Sequence, residues 1–439
     1  MKRQGPGQKL GRREFLKGAA AVAVPYVVSS AALGGAARKS ASERTTIGFI
    51  GVGGRGGHLL RWIGGDSQVQ VVAVCDTDTG RREAARKRVD SRYAGRARGT
   101  YKGCAAYKDF RQLLARDDID GVVIASPDHW HGLMSTLAAR SGKDIYCEKP
   151  MASTVADGRA ALDAINRYGC VFQTGSHERS NSSVRYACEL VRNERIGKLH
   201  TIRTYLPTGD KHSGMTGPEP VPDGFDYDMW LGPAPWEAYH PRRCHGTFRW
   251  IMDYSDGELT DRGAHVNDIA LLGADPLLIG PVEIEGRGTC INDPLWDVPY
   301  EYHIEFTYAG GLRIIVDSNG QRGIRFEGSE GWIFVAVHGG ALSASDPEIL
   351  RSKIADDEVR LGRSIGHGQD WIRAIRTRGK TMAPAADGHR TASFCHLSLV
   401  AVLLERKLKW DIGREQFIGD DEANGMTMVH RTPREPWRF

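Results

Sequence analysis

An aspartate and a histidine four residues apart, Asp261 and His265, have the residue types and spacing of a proton-transfer pair. In a helix that begins near Leu259, the two side chains share one face and come close together. An aspartate beside a histidine can orient the imidazole and stabilise its charged form, and the imidazole then serves as a base for a hydroxyl proton. The same spacing occurs in pairs that only lie on a helix surface. Asp268 continues the same face and can equally cap or bond locally, so spacing alone leaves these interpretations open.

A glycine-rich segment follows the first apolar run and has the spacing G-x-G-x-x-G at Gly51, Gly53 and Gly56. After a strand, the first glycine makes a tight turn, the second lets a pyrophosphate approach the backbone, and the third lets the following helix pack closely. The phosphates then lie at the helix N-terminus, where free N–H groups favour anions. The next apolar run ends at Asp76, about twenty residues further on, where a carboxylate can bind ribose hydroxyls. The two features predict a dinucleotide site; the alternative is a glycine-rich turn beside a solvated aspartate.

The acidic residue also indicates which dinucleotide is bound. Asp76 would repel the 2′-phosphate of NADP, so the sequence favours NAD. Arg81 and Arg82 follow it and could accept such a phosphate, so NADP remains possible.

These residues need a framework, and the apolar pattern predicts one with two parts. Strand and helix patterns alternate over residues 45–175, which predicts an α/β Rossmann dinucleotide-binding domain with a parallel sheet. Tyr107 to Leu114 is predicted as one of its helices. Residues 176–439 predict an α+β domain, because the apolar runs from Val282 to Val337 are separated by turns, as in an open and mostly antiparallel sheet. The segment from Pro207 to Pro241 is rich in glycine, proline and aspartate and is long enough to predict a functional loop.

The N-terminal segment has the order of an export signal. A basic stretch is followed by the uncharged apolar run Ala19 to Leu33 and then by small residues up to Ala37. The stretch Gly11 to Lys17 contains an arginine pair and resembles a bacterial twin-arginine (Tat) signal, although glycine precedes the pair. We therefore expect residues 1–37 to be a Tat-type signal peptide and the mature protein to be periplasmic or extracytoplasmic, with no membrane segment. An uncleaved anchor and a misassigned start are the alternatives.

Charge and cysteine content limit the possible partners. Residues 1–44 hold nine of the 59 Lys and Arg residues and two of the 54 acidic residues, which leaves 50 basic and 52 acidic residues elsewhere. The basic character therefore belongs to the N-terminal segment, and the sequence predicts no nucleic-acid partner. The eight cysteines include no C-x-x-C pair, so we expect mostly free structural thiols. Nothing in the sequence requires a metal.

Together these motifs resemble the Gfo/Idh/MocA family of sugar and polyol oxidoreductases. The glycine loop and Asp76 match its cofactor site, and Glu148-Lys149-Pro150, which follows a predicted strand, is the most specific element. The resemblance covers about residues 45–439. It implies an N-terminal Rossmann domain that binds NAD or NADP, and a C-terminal open sheet that often forms the contact of a homo-oligomer. It also implies that Lys149, Asp261 and His265 converge on a sugar beside the nicotinamide ring.

The resemblance and the residue chemistry assign the same roles. His265 is expected to accept the hydroxyl proton, Lys149 to stabilise the developing alkoxide, and Asp261 to orient His265 and bind a neighbouring hydroxyl. A larger set is expected to bind the cofactor: Gly51, Gly53, Gly54, Arg55, Gly56, Asp76, Ser126, Pro127, His131, Glu148 and Lys149. The residues expected to bind substrate are Lys149, Arg249, Trp250, Tyr254, Asp261 and His265, with Trp230 among further aromatic candidates.

These expectations favour an NAD(P)-dependent oxidoreductase that acts on a secondary hydroxyl of a sugar, polyol or sugar derivative. One alternative is an NAD-dependent glycosidase or lyase that oxidises the sugar transiently and recycles bound cofactor, which suits an exported location where free NAD is scarce. A second alternative is a catalytically silent protein that binds nucleotide or sugar. The presence of Lys149, Asp261 and His265 argues against the silent protein, whereas the fold alone would not.

Overall fold

The first sheet of the protein has six parallel strands. The computed structural model describes residues 44–94 and 103–438, and within them this sheet has the strand order β3-β2-β1-β4-β5-β6. Its strands are β1 (Thr45–Ile50), β2 (Val69–Cys75), β3 (Ala105–Tyr107), β4 (Gly121–Ile124), β5 (Asp144–Cys147) and β6 (Phe172–Thr174). The strand order reverses between β1 and β4, and ligands of such sheets bind beyond the carboxyl ends of the strands at that reversal. The predicted parallel Rossmann sheet is confirmed.

In the part of the chain that the structure describes, the second sheet has nine strands in the order β13-β12-β11-β7-β10-β9-β8-β14-β15. All its pairs are antiparallel except that between β7 and β10. The strands are β7 (Leu199–Tyr205), β8 (Val282–Cys290), β9 (Pro299–Tyr308), β10 (Arg313–Asp317), β11 (Gly323–Gly328), β12 (Gly331–Val335), β13 (Leu342–Ala344), β14 (Leu408–Asp411) and β15 (Gln416–Phe417). The predicted mostly antiparallel sheet is therefore also confirmed.

Helices cover both faces of the first sheet and one face of the second. Within the described residues 44–94 and 103–181, the helices are α1 (Gly54–Trp62), α2 (Thr79–Ala94), α3 (Phe110–Leu114), α4 (His131–Arg140) and α5 (Val155–Tyr168). Those that follow are α6 (Ser182–Arg192), α7 (Tyr227–Leu231), α8 (Glu258–Asp261), α9 (Gly263–Ala274), α10 (His367–Thr377), α11 (Ala385–Leu404) and α12 (Asp421–Asn424).

Side-chain patterns explain why one sheet is covered on both faces and the other is not. Five of the six residues of β1 are buried, as expected of a parallel strand between two helix layers. In β8 the buried and exposed residues alternate over Val282–Arg287, so one face packs on the core and the other is open. The core of the second sheet contains buried residues of α9 and α11, among them Val266 and Leu399.

Two predicted helices differ from those observed. Tyr107 to Leu114 is not a single helix: β3 pairs with β2 up to Tyr107, and α3 begins only after Asp109, whose side chain accepts the N–H of Arg111. Pairing with a distant strand therefore overrides local propensity. The helix predicted from Leu259 is interrupted by a turn at Arg262, which separates α8 from α9.

The structure tests the expectations for the cysteines and for membrane spans, but not those for the signal peptide and the domain boundary. The eight cysteines, all in the described part of the chain, are free thiols and mostly buried. None of the helices within the described residues is long and apolar enough to span a membrane. The predicted signal peptide, residues 1–37, lies outside the described residues, and the proposed domain boundary near residue 176 remains a prediction.

Candidate active site

The glycine loop forms a tight passage from β1 to α1. Gly51 has a φ of +77°, and a Cβ atom there would lie 2.6 Å from the Ala125 carbonyl oxygen. A Cβ atom at Gly56 would lie 1.9 Å from the carbonyl oxygen of Gly51, so the first turn of α1 packs directly on the loop. The space around Gly54, where α1 begins, is open within 4 Å. The loop therefore leaves the N-terminus of α1 free to receive phosphate groups.

Asp76 lies directly after β2 and is fixed by two backbone groups. Its carboxylate accepts the N–H groups of Val52, at 2.8 Å, and Asp78, at 3.0 Å. Burial is the largest influence on its pKa and raises it, while the two hydrogen bonds oppose that rise. The carboxylate is thus held at the mouth of the glycine loop, where a ribose is expected.

One cavity of about 720 Å³ joins the glycine loop to the predicted catalytic residues. Of the residues predicted to bind cofactor, all except Gly56 line it: Gly51, Gly53, Gly54, Arg55, Asp76, Ser126, Pro127, His131, Glu148 and Lys149. Arg249, Asp261 and His265 line the same cavity from the second half of the chain. The fold therefore brings together residues that lie more than 200 positions apart in the sequence.

Lys149 projects from the segment that follows β5 and is anchored on Asp261. Its Nζ donates to the Asp261 Oδ1 atom at 2.5 Å and to the Asp261 carbonyl oxygen at 2.8 Å. The peptide bond between Lys149 and Pro150 is cis. Both side chains are largely buried, with 11 % and 7 % of their surface exposed. The ammonium group thus has a defined position at the cavity wall.

The Asp261 carboxylate is surrounded by three cations rather than by one. Besides Lys149, the Nε atom of Arg249 lies 3.0 Å from its Oδ1 atom, and the Nη1 atom of Arg262 lies 2.6 Å from its Oδ2 atom. Burial alone would raise the pKa of Asp261, but the charges of Lys149 and Arg249 outweigh it and hold the pKa well below its usual range. Asp261 therefore remains ionised and orients the three cations.

The expected pairing of Asp261 with His265 is replaced by a different arrangement. The turn at Arg262 breaks the helix between them, and Asp261 bonds the cations instead. The Nδ1 atom of His265 is buried without a hydrogen-bond partner among the described residues, and its ring packs edge-on against His177, with ring centres 4.7 Å apart. Burial, followed by the charge of Lys149, lowers the pKa of His265 well below its ordinary value. His265 is therefore a neutral imidazole.

Two further polar contacts fix the cofactor end of the site. Arg55 on α1 donates through Nε to the Glu148 Oε1 atom at 2.7 Å, which ties the glycine loop to the segment before Lys149. The ring nitrogens of His131 face two carbonyl oxygens, that of Pro150 at 2.6 Å and that of Ser126 at 2.9 Å. His131 thus lines the cavity while linking the ends of β4 and β5.

Two residues predicted to bind substrate are placed elsewhere. Trp250 and Tyr254 lie in a buried aromatic cluster of the described chain, where the Trp250 ring approaches Trp296 and the Tyr254 hydroxyl accepts from Arg243 at 3.3 Å. Their large apolar side chains pack in the core, which is more common for aromatic residues than contact with a ligand. Trp230 belongs to that cluster and also lines the cavity.

Several cavity residues were missed by sequence reasoning. Asp128 is buried, accepts the Ser255 hydroxyl at 2.6 Å, and faces the cavity from the turn before α4. His177 follows β6, and the rule that ligands bind at the carboxyl ends of parallel strands could have identified it. Arg262, Arg322 and His338 also line the cavity. They lie in turns or loops of the second half, where no local pattern indicates a site.

Sequence comparison assigns both halves of the chain to one family. Residues 45–176 match the NAD-binding Rossmann fold of the Gfo/Idh/MocA oxidoreductase family, and residues 208–439 match its C-terminal alpha/beta domain. The chain belongs to the Gfo/Idh/MocA oxidoreductase family. The predicted family membership is thereby confirmed.

Two similar proteins carry the names of different kinds of enzyme, a glycosyl hydrolase and a dehydrogenase. The chain is 37 % identical over 161 residues to "Glycosyl hydrolase family 109 protein 2" of Shewanella sp. (strain ANA-3), which covers 33 % of this chain and 34 % of that protein. It is 25 % identical over 309 residues to inositol 2-dehydrogenase of Rubrobacter xylanophilus, covering 69 % of this chain and 74 % of that protein. The matched segments thus span about a third of the first relative's length and about three quarters of the second's.

Solved structures share the fold. Levoglucosan dehydrogenase in complex with NADH superposes with a TM-score of 0.60 at 20 % identity, over 83 % of this chain and 98 % of that one. At this identity the likeness establishes the fold alone.

The geometry of the Gfo/Idh/MocA cofactor site suits NAD. The glycine cradle has no room for a Cβ atom at Gly51 or Gly56, the N-terminus of α1 is open at Gly54, and Asp76 offers a carboxylate at the end of β2. These are the groups that bind a pyrophosphate and a ribose without a 2′-phosphate. The N-terminal half is an NAD-binding Rossmann domain.

Proposed function

We propose that this protein is an NAD-dependent oxidoreductase that acts on a secondary hydroxyl of a sugar, polyol or sugar derivative. The observation that carries the proposal is that the glycine loop, the Lys149 ammonium and the neutral His265 imidazole line one cavity. An alcohol held there would meet a cationic group and a proton acceptor beside the cofactor site. The named sugar and inositol dehydrogenases among the relatives agree with this substrate class.

Each catalytic side chain has a distinct role in this proposal. Lys149 stabilises the negative charge that develops on the substrate oxygen, because its Nζ atom is positioned and largely desolvated. His265 accepts the hydroxyl proton, since its depressed pKa keeps a ring nitrogen free at neutral pH. Asp261 holds Lys149, Arg249 and Arg262 in place. When bound, NAD supplies the hydride-accepting chemistry of its nicotinamide ring.

A second candidate function is a glycosidase or lyase that oxidises the sugar, cleaves its glycosidic bond and recycles the cofactor. The 37 % identity to a protein named as a family 109 glycosyl hydrolase favours it. The same Lys149 and His265 would serve both reactions, because both begin with removal of a hydroxyl proton. The candidates differ in whether reduced cofactor accumulates.

The proposal extends to location and assembly. The basic and apolar order of residues 1–37 supports export by the Tat route to the periplasm. Assembly into a homo-oligomer through the open face of the nine-stranded sheet is part of the proposal, because the alternating pattern of β8 leaves that face exposed in the single chain. Cell fractionation and sedimentation of the mature protein test these two points.

The decisive experiment incubates the folded protein, with its co-purified nicotinamide identified, with free sugars and matching glycosides. Reduced-cofactor absorbance and product masses are followed together. Stoichiometric reduced cofactor with a product two mass units lighter is the result expected of a dehydrogenase. Bond cleavage without net reduction establishes the recycling glycosidase or lyase instead. Neither product, with NAD bound, would contradict both functions and favour a binding protein.

A further inference from the structure

Two histidines and a glutamate meet beside the cavity. His177 and Glu178 begin the 3-10 turn that follows β6, and His338 lies in the connection between β12 and β13. Glu178 and His338 are 160 residues apart in the sequence. None of the three is used in the proposed oxidoreductase function. His177 and His338 line the cavity, so the group faces the same space as Lys149 and His265.

The three side chains have the spacing of a metal-ligand set. The His338 Nδ1 atom lies 2.8 Å from the Glu178 Oε1 atom, and the His177 Nε2 atom lies 3.5 Å from the same oxygen. One ligand atom from each residue lies within 4.8 Å of the other two. The rings of His177 and His338 are nearly parallel, at 9°, with centres 5.8 Å apart.

Unsatisfied polar atoms surround this group. The Oε2 atom of the Glu178 carboxylate is buried without a hydrogen-bond partner among the described residues. The Nδ1 atoms of His177 and of the adjacent His265 are likewise buried without a hydrogen-bond partner among the described residues. Buried polar atoms without partners are uncommon and costly, so their concentration at one place requires an explanation. A cation held by both carboxylate oxygens would be the missing partner of Oε2. It would not explain the two Nδ1 atoms, since His177 faces Glu178 through Nε2.

The backbone supports the same conclusion. His338 has a φ of +64°, in the left-handed region that residues other than glycine rarely adopt. This conformation brings the imidazole to the buried Glu178. Such strain is found where the surrounding structure holds a residue for a function.

We propose that His177, Glu178 and His338 form a binding site for a divalent transition-metal ion of the zinc type. Two imidazoles and one carboxylate are the ligands of open zinc and iron(II) sites, whereas magnesium and calcium prefer oxygen ligands alone. Because only three ligands converge among the described residues, further coordination positions are open to the cavity, where an oxygen atom of a bound small molecule can reach them. Binding of the ion does not depend on the proposed oxidoreductase function.

The simpler alternative is that Glu178 and His338 form an ordinary hydrogen-bonded pair. The chain contains a matched example in His303 and Asp317, whose Nδ1 and Oδ2 atoms lie 3.1 Å apart on the second sheet. The exposed fractions of its two side chains are 42 % and 22 %, and no third ligand joins them within the described residues. His303→Asn is therefore a suitable control variant.

The test measures metal binding rather than turnover. The NAD-loaded full chain is stripped with a chelator, incubated with Zn²⁺ and desalted, and its zinc content and thermal unfolding are measured. Glu178→Gln keeps the size of the side chain, and His338→Asn introduces a residue that tolerates a positive φ, so both variants are expected to fold. Circular dichroism checks this.

We expect one Zn²⁺ per chain in the wild type and in His303→Asn, with a higher unfolding temperature when zinc is present. Glu178→Gln and His338→Asn should retain at least tenfold less zinc and show no zinc-dependent stabilisation. A wild-type chain without retained zinc, or variants that hold as much zinc as the wild type, would overturn the site. Dehydrogenase activity is measured separately, so its absence does not affect this result.

Discussion

Asp261 shows how the function of a single side chain depends on its charged neighbours. Its type and its distance from His265 suggest a proton-transfer pair, yet in the structure its carboxylate bonds Lys149, Arg249 and Arg262. Three cations around one anion leave a net positive charge at the cavity wall. A developing alkoxide would be stabilised there, which assigns Asp261 to positioning and Lys149 to substrate contact.

Asp76 is predicted to set the preference for NAD over NADP. Its half-buried carboxylate directly after β2 would repel a 2′-phosphate, and Arg81 lies close by. Asp76→Ser should therefore shift the ratio of the two dissociation constants toward NADP by tenfold or more, as measured by calorimetry. Asp66→Asn, in the turn before β2, is the control and should leave the ratio unchanged. An unaltered ratio in Asp76→Ser would refute this role.

Glu258 should make the stability of the protein depend on pH. Burial first, and then the charge of Asp261, raise its pKa to about 7. An unfolded glutamic acid loses its proton near pH ~4.3, so between that pH and about 7 the folded state keeps a proton that the unfolded state releases. The contribution of Glu258 to stability is therefore present at low pH and is lost as the pH rises through its folded pKa.

The variant Glu258→Gln removes this titration. Relative to the wild type, its free energy of unfolding should increase by about 2 kcal/mol between pH ~5 and ~8, measured by denaturant titration. Glu237→Gln, at a half-exposed side chain, serves as the control and should show no such change. A Glu258→Gln difference that is the same at both pH values would contradict the assignment.

At the residue scale, the sequence indicated positions, whereas the catalytic roles of Lys149 and His265 stay predictions. Lys149 and His265 were predicted from motifs, and both line the cavity. Their partners could not be predicted, because Lys149 and Asp261 are 112 residues apart and meet only through tertiary folding. Trp250 was predicted to bind substrate but packs in the core. The sequence does not distinguish these two positions, because an aromatic residue is suited to either.

At the scale of elements, close packing between the glycine loop and α1 creates the cofactor site. A Cβ atom at Gly56 would meet the Gly51 carbonyl at 1.9 Å, whereas one at Gly54 would meet nothing within 4 Å. Gly56→Ala should therefore lower the free energy of unfolding by about 1–3 kcal/mol, because backbone must move. Gly54→Ala should change it by less than about 1 kcal/mol.

Denaturant unfolding of the two alanine variants without added NAD measures this difference, since both substitutions add the same methyl group to the same helix. Equal stabilities would show that the strand and helix do not approach as closely as described.

The elements themselves were predicted where the pattern is long and regular. The longer strands of both sheets follow from continuous or alternating apolar runs, whereas the short strands β13, β14 and β15 were not predicted. β3 was missed, because a three-residue strand is defined by pairing with β2 rather than by its own residues. The break between α8 and α9 was missed as well, since no proline marks the turn at Arg262.

At the scale of the whole molecule, the two halves share their cores. Trp371 on α10 is fully buried in the apolar cluster of the first sheet, with its ring centre 5.8 Å from that of Tyr146. His396 on α11 bonds Asp256 at 2.6 Å and the Ala152 carbonyl at 3.1 Å, and so links the Lys149 segment to the Asp261 segment. α10 and α11 thus fix the positions of the catalytic segments relative to each other. The order of the elements in the sequence does not show this.

This shared packing predicts that the N-terminal sheet depends on the late helix α10. Trp371→Ala should lower the free energy of unfolding by about 3–5 kcal/mol and weaken NAD binding in parallel as the temperature rises. Trp236, with 65 % of its surface exposed, is the matched control, and Trp236→Ala should change stability by less than about 0.5 kcal/mol. Normal stability of Trp371→Ala would show that the first sheet folds independently.

In the proposed reaction, Lys149 acts on the substrate while the glycine loop binds the cofactor. This role is tested by replacing Lys149 with methionine and measuring turnover together with the NAD dissociation constant, on a sugar or glycoside that the incubation experiment shows to be converted. Lys143→Met is the control, because Lys143 is also buried but donates to the carbonyl oxygens of Arg116 and Ile119 away from the cavity.

We expect Lys149→Met to lose about 10²–10⁴-fold in kcat with an unchanged NAD dissociation constant. Arg249 and Arg262 still neutralise Asp261 in that variant, so its fold should persist. Lys143→Met should retain wild-type kcat. Wild-type turnover in Lys149→Met, or a loss of NAD binding that accounts for the lost turnover, would contradict the account.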